Sequence, residues 1–262
     1  MQKTWLSMLG VKVQALTMSE LNECIAEAVS RDERCIIANH NLHSVYLYHH
    51  DTKMREYYKR AENVHIDGFP LIYMGKVLGL PLSGRHRVGY IDWVDSLMSE
   101  AANSGWRVFY VGSRPGVASR AAEILRSRIP GLEIETNDGY FDSSKGSRES
   151  VALCDRVNAY APHVLMVGMG MPKQEHWILD HYQKLNVNAI LNAGACVDYV
   201  AGVIPTPPRW LGPLGLEWTF RMVSEPRRLW RRYLLEPWSV LGLFAKDILR
   251  ARRKRASATR GQ

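Results

Sequence analysis

The sequence predicts an α/β fold: a mainly parallel sheet with helices on both faces, followed by a basic helical C-terminal appendage. Three observations carry this. Strand-like and helix-like stretches alternate from Ile36 to Gly194, and four of the apolar strands stop at a Gly- or Asn-bearing turn, the pattern of a sheet covered on both faces. From Pro207 onward there are 13 Lys and Arg against 4 Asp and Glu, whereas residues 1–206 carry 21 against 22, so the net charge of +8 belongs to the tail.

With 262 residues, 46% of them hydrophobic and 23% charged, the chain can bury one full core and needs no unusual composition class. Cys24, Cys35, Cys154 and Cys196 lack metal-like spacing and require no disulfide, which makes a reducing cytoplasm the default. The start, Met1-Gln2-Lys3-Thr4-Trp5, lacks a signal-peptide pattern, and no apolar run approaches the roughly 18 residues of a membrane span. The expectation is a protein that, if it meets a membrane, lies on it.

In chain order, Met18 to Ser30 has Leu21, Ile25, Ala28 and Val29 at helical spacing behind Ser19, which can cap a helix. Cys35 to Ala38 is a short buried strand ending in Asn39-His40-Asn41, either a turn or a pair of amides for a polar ligand. Leu42 to Ala61 reads as one helix and Val64 to Ile66 as the next strand. Asp67-Gly68-Phe69-Pro70 follows at once: a carboxylate at a strand end beside glycine is where a general base would stand, and Asp-Gly is equally a common turn. Leu71 to Leu80 is apolar without a clear period, and Arg85-His86-Arg87 reads as a loop. Asp92 to Asn103 is a helix. Arg107 to Gly112 is a strand leading through Ser113-Arg114-Pro115-Gly116 into the helix Val117 to Arg128, in the manner of a nucleotide-binding unit. Leu132 to Thr136 alternates like a strand, Asn137 to Phe141 closes it, and a helix covers Glu149 to Tyr160.

The run from Val164 to Trp177 organises the rest. Val164 to Val167 is a buried strand, Gly168-Met169-Gly170 lets backbone approach a ligand, and Lys173, Gln174 and Glu175 add polar groups at the sheet's carboxyl edge, where open α/β sheets bind ligands. A helix after Trp177 reaches Leu185, the strand Ala189 to Gly194 follows, and Asp198 supplies a second carboxylate at that edge. Pro205-Thr206-Pro207-Pro208 marks the boundary between a catalytic domain, 1–206, and the appendage, 207–262. Arg221, Arg228, Arg231 and Arg232 could share one broad helical face, with Pro226 breaking or beginning a helix. Beyond Pro237, Trp238, Leu241, Ala245 and Ile248 form an apolar stripe beside five cations between Arg250 and Arg255, as in helices that lie in membrane interfaces.

Taken together, Asp67-Gly68, Val111 to Gly116, Gly139-Tyr140-Phe141, Gly168 to Glu175, Gly194 with Asp198, Gly215 to Trp218, Arg221, Glu225-Pro226 and Arg231-Arg232-Tyr233 resemble the WecG/TagA/CpsF glycosyltransferases across residues 10 to 235. The resemblance implies a Rossmann-like, metal-independent, inverting transferase without cofactor. It would move a sugar from a UDP-sugar to a polyprenyl-pyrophosphate-linked saccharide at the inner face of a bacterial membrane. It places Asp67 as general base, Arg87 as a further active-site arginine, Gln174 and Asp198 at the donor, and Arg221, Arg228 and Arg231 on an appendage that closes over the site. Asn39, Asn41, Gly112, Gly139, Tyr140, Gly168, Gly170, Lys173 and Glu175 complete the expected substrate-binding set. At Asn39-His40-Asn41 the chain departs from relatives that carry Thr before the Asn. Similarity to exopolysaccharide glucosyltransferases favours glucose as the donor sugar, with N-acetylmannosamine or N-acetylmannosaminuronate as the alternative. A homo-oligomer is compatible with this reading.

The chemistry points the same way. No Asp-x-Asp metal-binding triplet occurs, and arginines can instead offset a departing pyrophosphate by forked hydrogen bonds. A nicotinamide-dependent oxidoreductase would share the glycine turns, but no Gly-x-Gly-x-x-Gly opens the first βαβ unit. Nucleic-acid binding would explain the basic tail and leave Asp67 without a purpose.

Overall fold

The computed structural model describes residues 4–212 and 214–259; the side chains of Arg209, Arg228 and residues 254–259 are outside the description. The expected roles of Arg228, Lys254 and Arg255 thus fall outside the described residues.

The chain opens with an antiparallel hairpin, β1 (Trp5–Met8) and β2 (Val11–Gln14), then α1 (Met18–Ser30), β3 (Cys35–His40), α2 (Leu42–His50), α3 (Thr52–Arg60) and β4 (Asn63–Ile66). It continues through α4 (Phe69–Val77), α5 (Tyr90–Asn103), β5 (Val108–Gly112), α6 (Val117–Arg128), β6 (Ile134–Asn137), α7 (Arg148–Tyr160), β7 (Val164–Gly168), α8 (Lys173–His181), β8 (Ala189–Asn192) and α9 (Cys196–Val200). The last segments are helical: α10 (Glu217–Ser224), α11 (Pro226–Leu234) and α12 (Glu236–Thr259). The six central strands pair in parallel in the order β4-β3-β8-β7-β5-β6. All their carboxyl ends therefore share one edge, and β7 and β8 fill the middle, where a crevice opens.

Period-two alternation along the strands divides the core between the two faces. Ile36, Phe109, Leu165 and Ile190 point toward α2, α3, α7 and α8, while Ile37, Tyr110, Met166 and Leu191 point toward α1, α5, α6 and α9. The predicted two-faced parallel sheet is what forms.

Several boundaries differ from the sequence reading. The hairpin of β1 and β2 was not anticipated; Leu9 and Gly10 turn it with positive φ, and Leu6, Met8, Val11 and Val13 are buried against the sheet's first face. The single helix expected over 42–61 breaks at Asp51, whose extended backbone ends α2 and whose side chain accepts from the Met54 amide at 3.1 Å to cap α3. The apolar stretch after Pro70 is α4, with proline in its first turn where no intrahelical donor is needed. Helix α8 starts at Lys173, earlier than expected, so the polar tail of the glycine turn lies on the helix's first turn.

The appendage is docked on the body. Leu229 and Val240 are buried, Leu243 and Phe244 pack on the first-face core, and Asp247 accepts from the Leu9 amide at 2.6 Å. Docking by Val240 and Phe244 rotates the expected stripe: Trp238, Leu241, Ala245 and Leu249 are exposed, while Ile248 is half-buried. No helix among the described residues is long and apolar enough to cross a membrane.

Two histidines in the sheet predict how the fold responds to acid. Burial lowers the pKa of His40 and of His65 to about 3, with His65 wedged against Tyr90 and Trp93. Below the ordinary imidazole value the unfolded chain takes up protons that the folded chain refuses, so stability falls as pH drops from about 6.5 toward 3. Each of the two should cost about 2–3 kcal/mol by pH 4.5. His65→Phe should flatten this dependence by its own share, as read from denaturant unfolding at pH 7 and pH 4.5; an unchanged slope would clear His65.

Candidate active site

Asp67 is the first residue past β4, its amide donating to the His40 carbonyl at 2.8 Å, which holds its position at the sheet edge. Val88 donates to the Ile66 carbonyl at 2.8 Å, and a parallel bridge between Ile66 and Arg87 carries the edge one strand further, so Arg87 stands beside Asp67. Gly89 makes that approach achievable: a Cβ there would stand 3.2 Å from both Asp67 Oδ1 and Arg87 Nη2. Arg87 donates to Asp92, and to Glu217 at 2.6 Å, and lies over the Phe69 ring. Burial works against its charge, but Asp67, Glu217 and Asp92 outweigh that and raise its pKa above the ordinary arginine value.

A cleft of about 780 Å³ opens from this corner across the ends of β3, β8 and β7. Of the expected site residues it brings together Asn39, Asn41, Asp67, Arg87, Tyr140, Gly168, Gly170, Gln174, Asp198, Arg221 and Arg231. Asn41 has a structural duty as well, its side chain capping α2 by accepting from the Ser44 amide at 3.0 Å. Asp198, in the first turn of α9, has its pKa raised by burial, which the Ser113 hydroxyl and Arg114 partly oppose.

Four expected residues stand off the cleft lining. Lys173 donates to the Gly139 carbonyl at 3.0 Å and lies over the Phe141 ring, away from the opening. Glu175 is fully buried behind Gln174. Gly112 packs on the Gly168 backbone and Gly139 packs on Gly112 in turn. Their lack of a side chain serves contact within the protein, and Gly168, although in the lining, is likewise pressed on by the Tyr110 hydroxyl and the Gly194 carbonyl. Gly170 alone of this group has open space where a Cβ would stand.

The roof is the appendage. Arg221 from α10 and Arg231 and Arg232 from α11 face the cleft, and Arg221 lies over the Tyr199 ring. Burial opposes the Arg221 charge, but Tyr199, Tyr233, Asp67 and Glu225 outweigh it and hold its pKa above the ordinary value. Arg232 is the reverse case: burial, with Arg221 nearby, pulls its pKa down. Among the described residues, the ion pair of Arg87 with Glu217 and the contact of His43 Nδ1 with Glu236 at 2.5 Å tie the roof to the body. Among the described residues no group of three or more His, Cys, Asp or Glu is placed to hold a metal ion.

Arg232, Glu217, Asn192 and Arg114 line the cleft without having been singled out as site residues from the sequence. Glu217 sits in the Gly215-Leu216-Glu217-Trp218 block, Asn192 ends a strand as Asn39 does, and Arg232 was placed on one face with Arg221 and Arg231, so all three left a signal.

A half-buried carboxylate at a strand end, an arginine roof and a polar floor thus face one cleft. The sequence model of the glycosyl transferase WecG/TagA/CpsF family matches residues 6–254. The chain belongs to this family. Similar curated proteins include those of Staphylococcus aureus strains MW2, NCTC 8325 / PS 47 and COL, each named N-acetylglucosaminyldiphosphoundecaprenol N-acetyl-beta-D-mannosaminyltransferase. Each is 26% identical over 199 residues, covering 76% of this chain and 73% of the relative. Glycosyltransferase activity follows from membership.

If Asp67 is the proton acceptor in that activity, Asp67→Asn should keep the fold and ligand binding but lower turnover by about 10²–10⁴-fold. Turnover within a few-fold of the parent, measured under saturating substrates, would remove Asp67 from the role.

Proposed function

We propose that this glycosyltransferase moves a sugar from a UDP-sugar to a hydroxyl of a polyprenyl-pyrophosphate-linked saccharide, with inversion and without a metal. The observation that carries the reading is Asp67 facing the same cleft as Arg221, Arg231 and Arg232. Asp67 takes the proton of the acceptor hydroxyl as its oxygen bonds to the anomeric carbon, and the bond from that carbon to the diphosphate breaks in the same step. Charge then grows on the departing UDP, where the roof arginines meet it with charge-assisted hydrogen bonds in a site shielded from water.

The similarity to exopolysaccharide enzymes led us to expect glucose. The names of the curated relatives weigh instead for N-acetylmannosamine as the sugar and for N-acetylglucosaminyl-diphospho-undecaprenol as the acceptor, and these are the substrates proposed here. A panel of UDP-N-acetylmannosamine, UDP-N-acetylmannosaminuronate and UDP-glucose, each with that acceptor and excess EDTA, tests donor and metal together by product mass. Product from UDP-N-acetylmannosamine in EDTA is expected. Product only from UDP-glucose would restore the first expectation, and product only after Mg²⁺ or Mn²⁺ is added would overturn metal independence.

We further propose that the appendage rests on an anionic membrane surface, which brings the cleft to a lipid-linked acceptor. Among the described residues, twelve of the seventeen exposed large apolar side chains lie between Val203 and Leu249, a density that marks a contact surface. Trp238 and Leu241 are exposed on α12, and Arg250, Arg252 and Arg253 follow on the same helix. Because Val240 and Phe244 anchor α12 to the body, outward substitutions test docking better than truncation does. Trp238→Ser with Leu241→Ser, or Arg250→Glu with Arg252→Glu, should weaken sedimentation with anionic liposomes by about tenfold or more. Activity should fall on a long-chain acceptor and be nearly kept on a water-soluble short-chain one. Full sedimentation of both variants would place the membrane contact elsewhere.

A further inference from the structure

The floor of the cleft holds a buried polar network that the displacement step does not use. One oxygen of Glu175, Oε1, accepts from Gln174 Nε2 at 2.7 Å and from Asn192 Nδ2 at 2.9 Å. Gln174 Oε1 in turn accepts from the Gly170 amide at 3.1 Å, which fixes which way that side-chain amide faces. Asn39 Nδ2 donates to the Asn192 carbonyl at 3.3 Å. The donors of both asparagines are thereby drawn into the protein. Their acceptors are not: Asn39 Oδ1 and Asn192 Oδ1 are buried and have no partner among the described residues. Asn39, Asn192 and Gln174 line the cleft, while Glu175 is fully buried behind them.

Burying an acceptor without a donor costs free energy that a ligand can return only if it brings O–H or N–H groups. A diphosphate brings acceptors alone, so this floor rejects it, and the arginines of the roof are its complement. A sugar bears hydroxyls, and an acetamido sugar adds an N–H. Position agrees with polarity: β3, which carries Asn39, pairs with β4, at whose end Asp67 stands, and β8, which carries Asn192, pairs with β3 on its other side. The sugar being transferred has to lie beside the hydroxyl that Asp67 activates.

We propose that Glu175 is a positioning residue that clamps the amides of Gln174 and Asn192, so that Asn192 and Asn39 offer acceptors to the transferred sugar of the donor. This rests on the donor reading above and adds to it an orientation, sugar on the floor and diphosphate under the roof. Burial raises the pKa of Glu175, while its hydrogen bonds from Asn192 and Gln174 oppose the rise. A protonated Glu175 keeps Oε1 as a carbonyl acceptor, and glutamine reproduces that carbonyl. Glutamine is therefore the conservative replacement and methionine, of similar length without an acceptor, the disruptive one.

The test is calorimetric binding of UDP and of UDP-N-acetylmannosamine and UDP-glucose to the full chain and to Glu175→Gln, Glu175→Met and Asn192→Leu. Glu175→Met and Asn192→Leu should bind UDP within about threefold of the parent and lose about tenfold or more for whichever UDP-sugar the parent prefers. Glu175→Gln should recover most of that loss. Equal losses for UDP and UDP-sugar would mean that the floor reads the nucleotide or merely holds the fold, and Glu175→Gln as weak as Glu175→Met would remove the clamp; either overturns the proposal. Should Glu175→Met fail to fold, the comparison of UDP with UDP-sugar in Asn192→Leu decides alone. A parent chain that binds none of the UDP compounds would overturn the donor reading itself, a result distinct from one in which the parent binds and the variants lose UDP and UDP-sugar alike.

Discussion

Arg87 is the point on which the site depends, because three parts of the molecule meet at its guanidinium. It extends the sheet edge by pairing beyond β4, stands beside Asp67, and donates to Glu217 on the appendage. A mostly buried cation is tolerable only when paired and hydrogen-bonded, and here Asp67, Asp92 and Glu217 share that work. Taking Glu217 away leaves the charge less well compensated in a buried place. The seating of the roof and the electrostatic setting of Asp67 are in this way one interaction.

The consequence for catalysis lies in the order of events. With the roof seated, Arg221 and Arg232 are held close enough together that burial and mutual repulsion depress Arg232. Such a pair gains from an anion between its members, and a diphosphate is the anion that the proposed reaction supplies. In that reaction the charge of the leaving group adds to the seating that Glu217 and Glu236 make through Arg87 and His43.

How much of this was legible in the sequence depended on the range of the interaction. Strands such as Val164 to Val167 and their glycine ends were readable because a buried parallel strand needs an apolar run of a certain length, and Asp67 was readable because it follows such a strand directly, Asp198 because it lies one turn beyond another. The break at Asp51 was not, since it rests on one side chain capping the next helix against a pattern that still looks helical. The glycines carry a second duty that the sequence hid: Gly112 leaves room for the Gly168 backbone and Tyr110, and Gly168, which lines the cleft, leaves room for Tyr110 and the Gly194 carbonyl. Arg232 and Glu217 stood in recognisable blocks but were not picked as site residues, because only the docking of α10 and α11, set by Leu229 and Val240 far along the chain, decides which side chains there face inward.

That docking also explains why one short segment can carry both roof and surface. A helix has room for two faces, and α12 spends its inner one on Val240, Leu243 and Phe244 against the body, which leaves Trp238, Leu241 and Leu249 outward. Were the appendage only a lid, polar residues on that outer face would serve better, because exposed tryptophan and leucine invite aggregation. Their retention next to Arg250, Arg252 and Arg253 makes sense if the outer face meets an apolar and anionic surface while the inner face seats the appendage on the body. A lipid-linked acceptor would then reach Asp67 along the seam between the two, and the enzyme would be assembled for reaction where that acceptor resides.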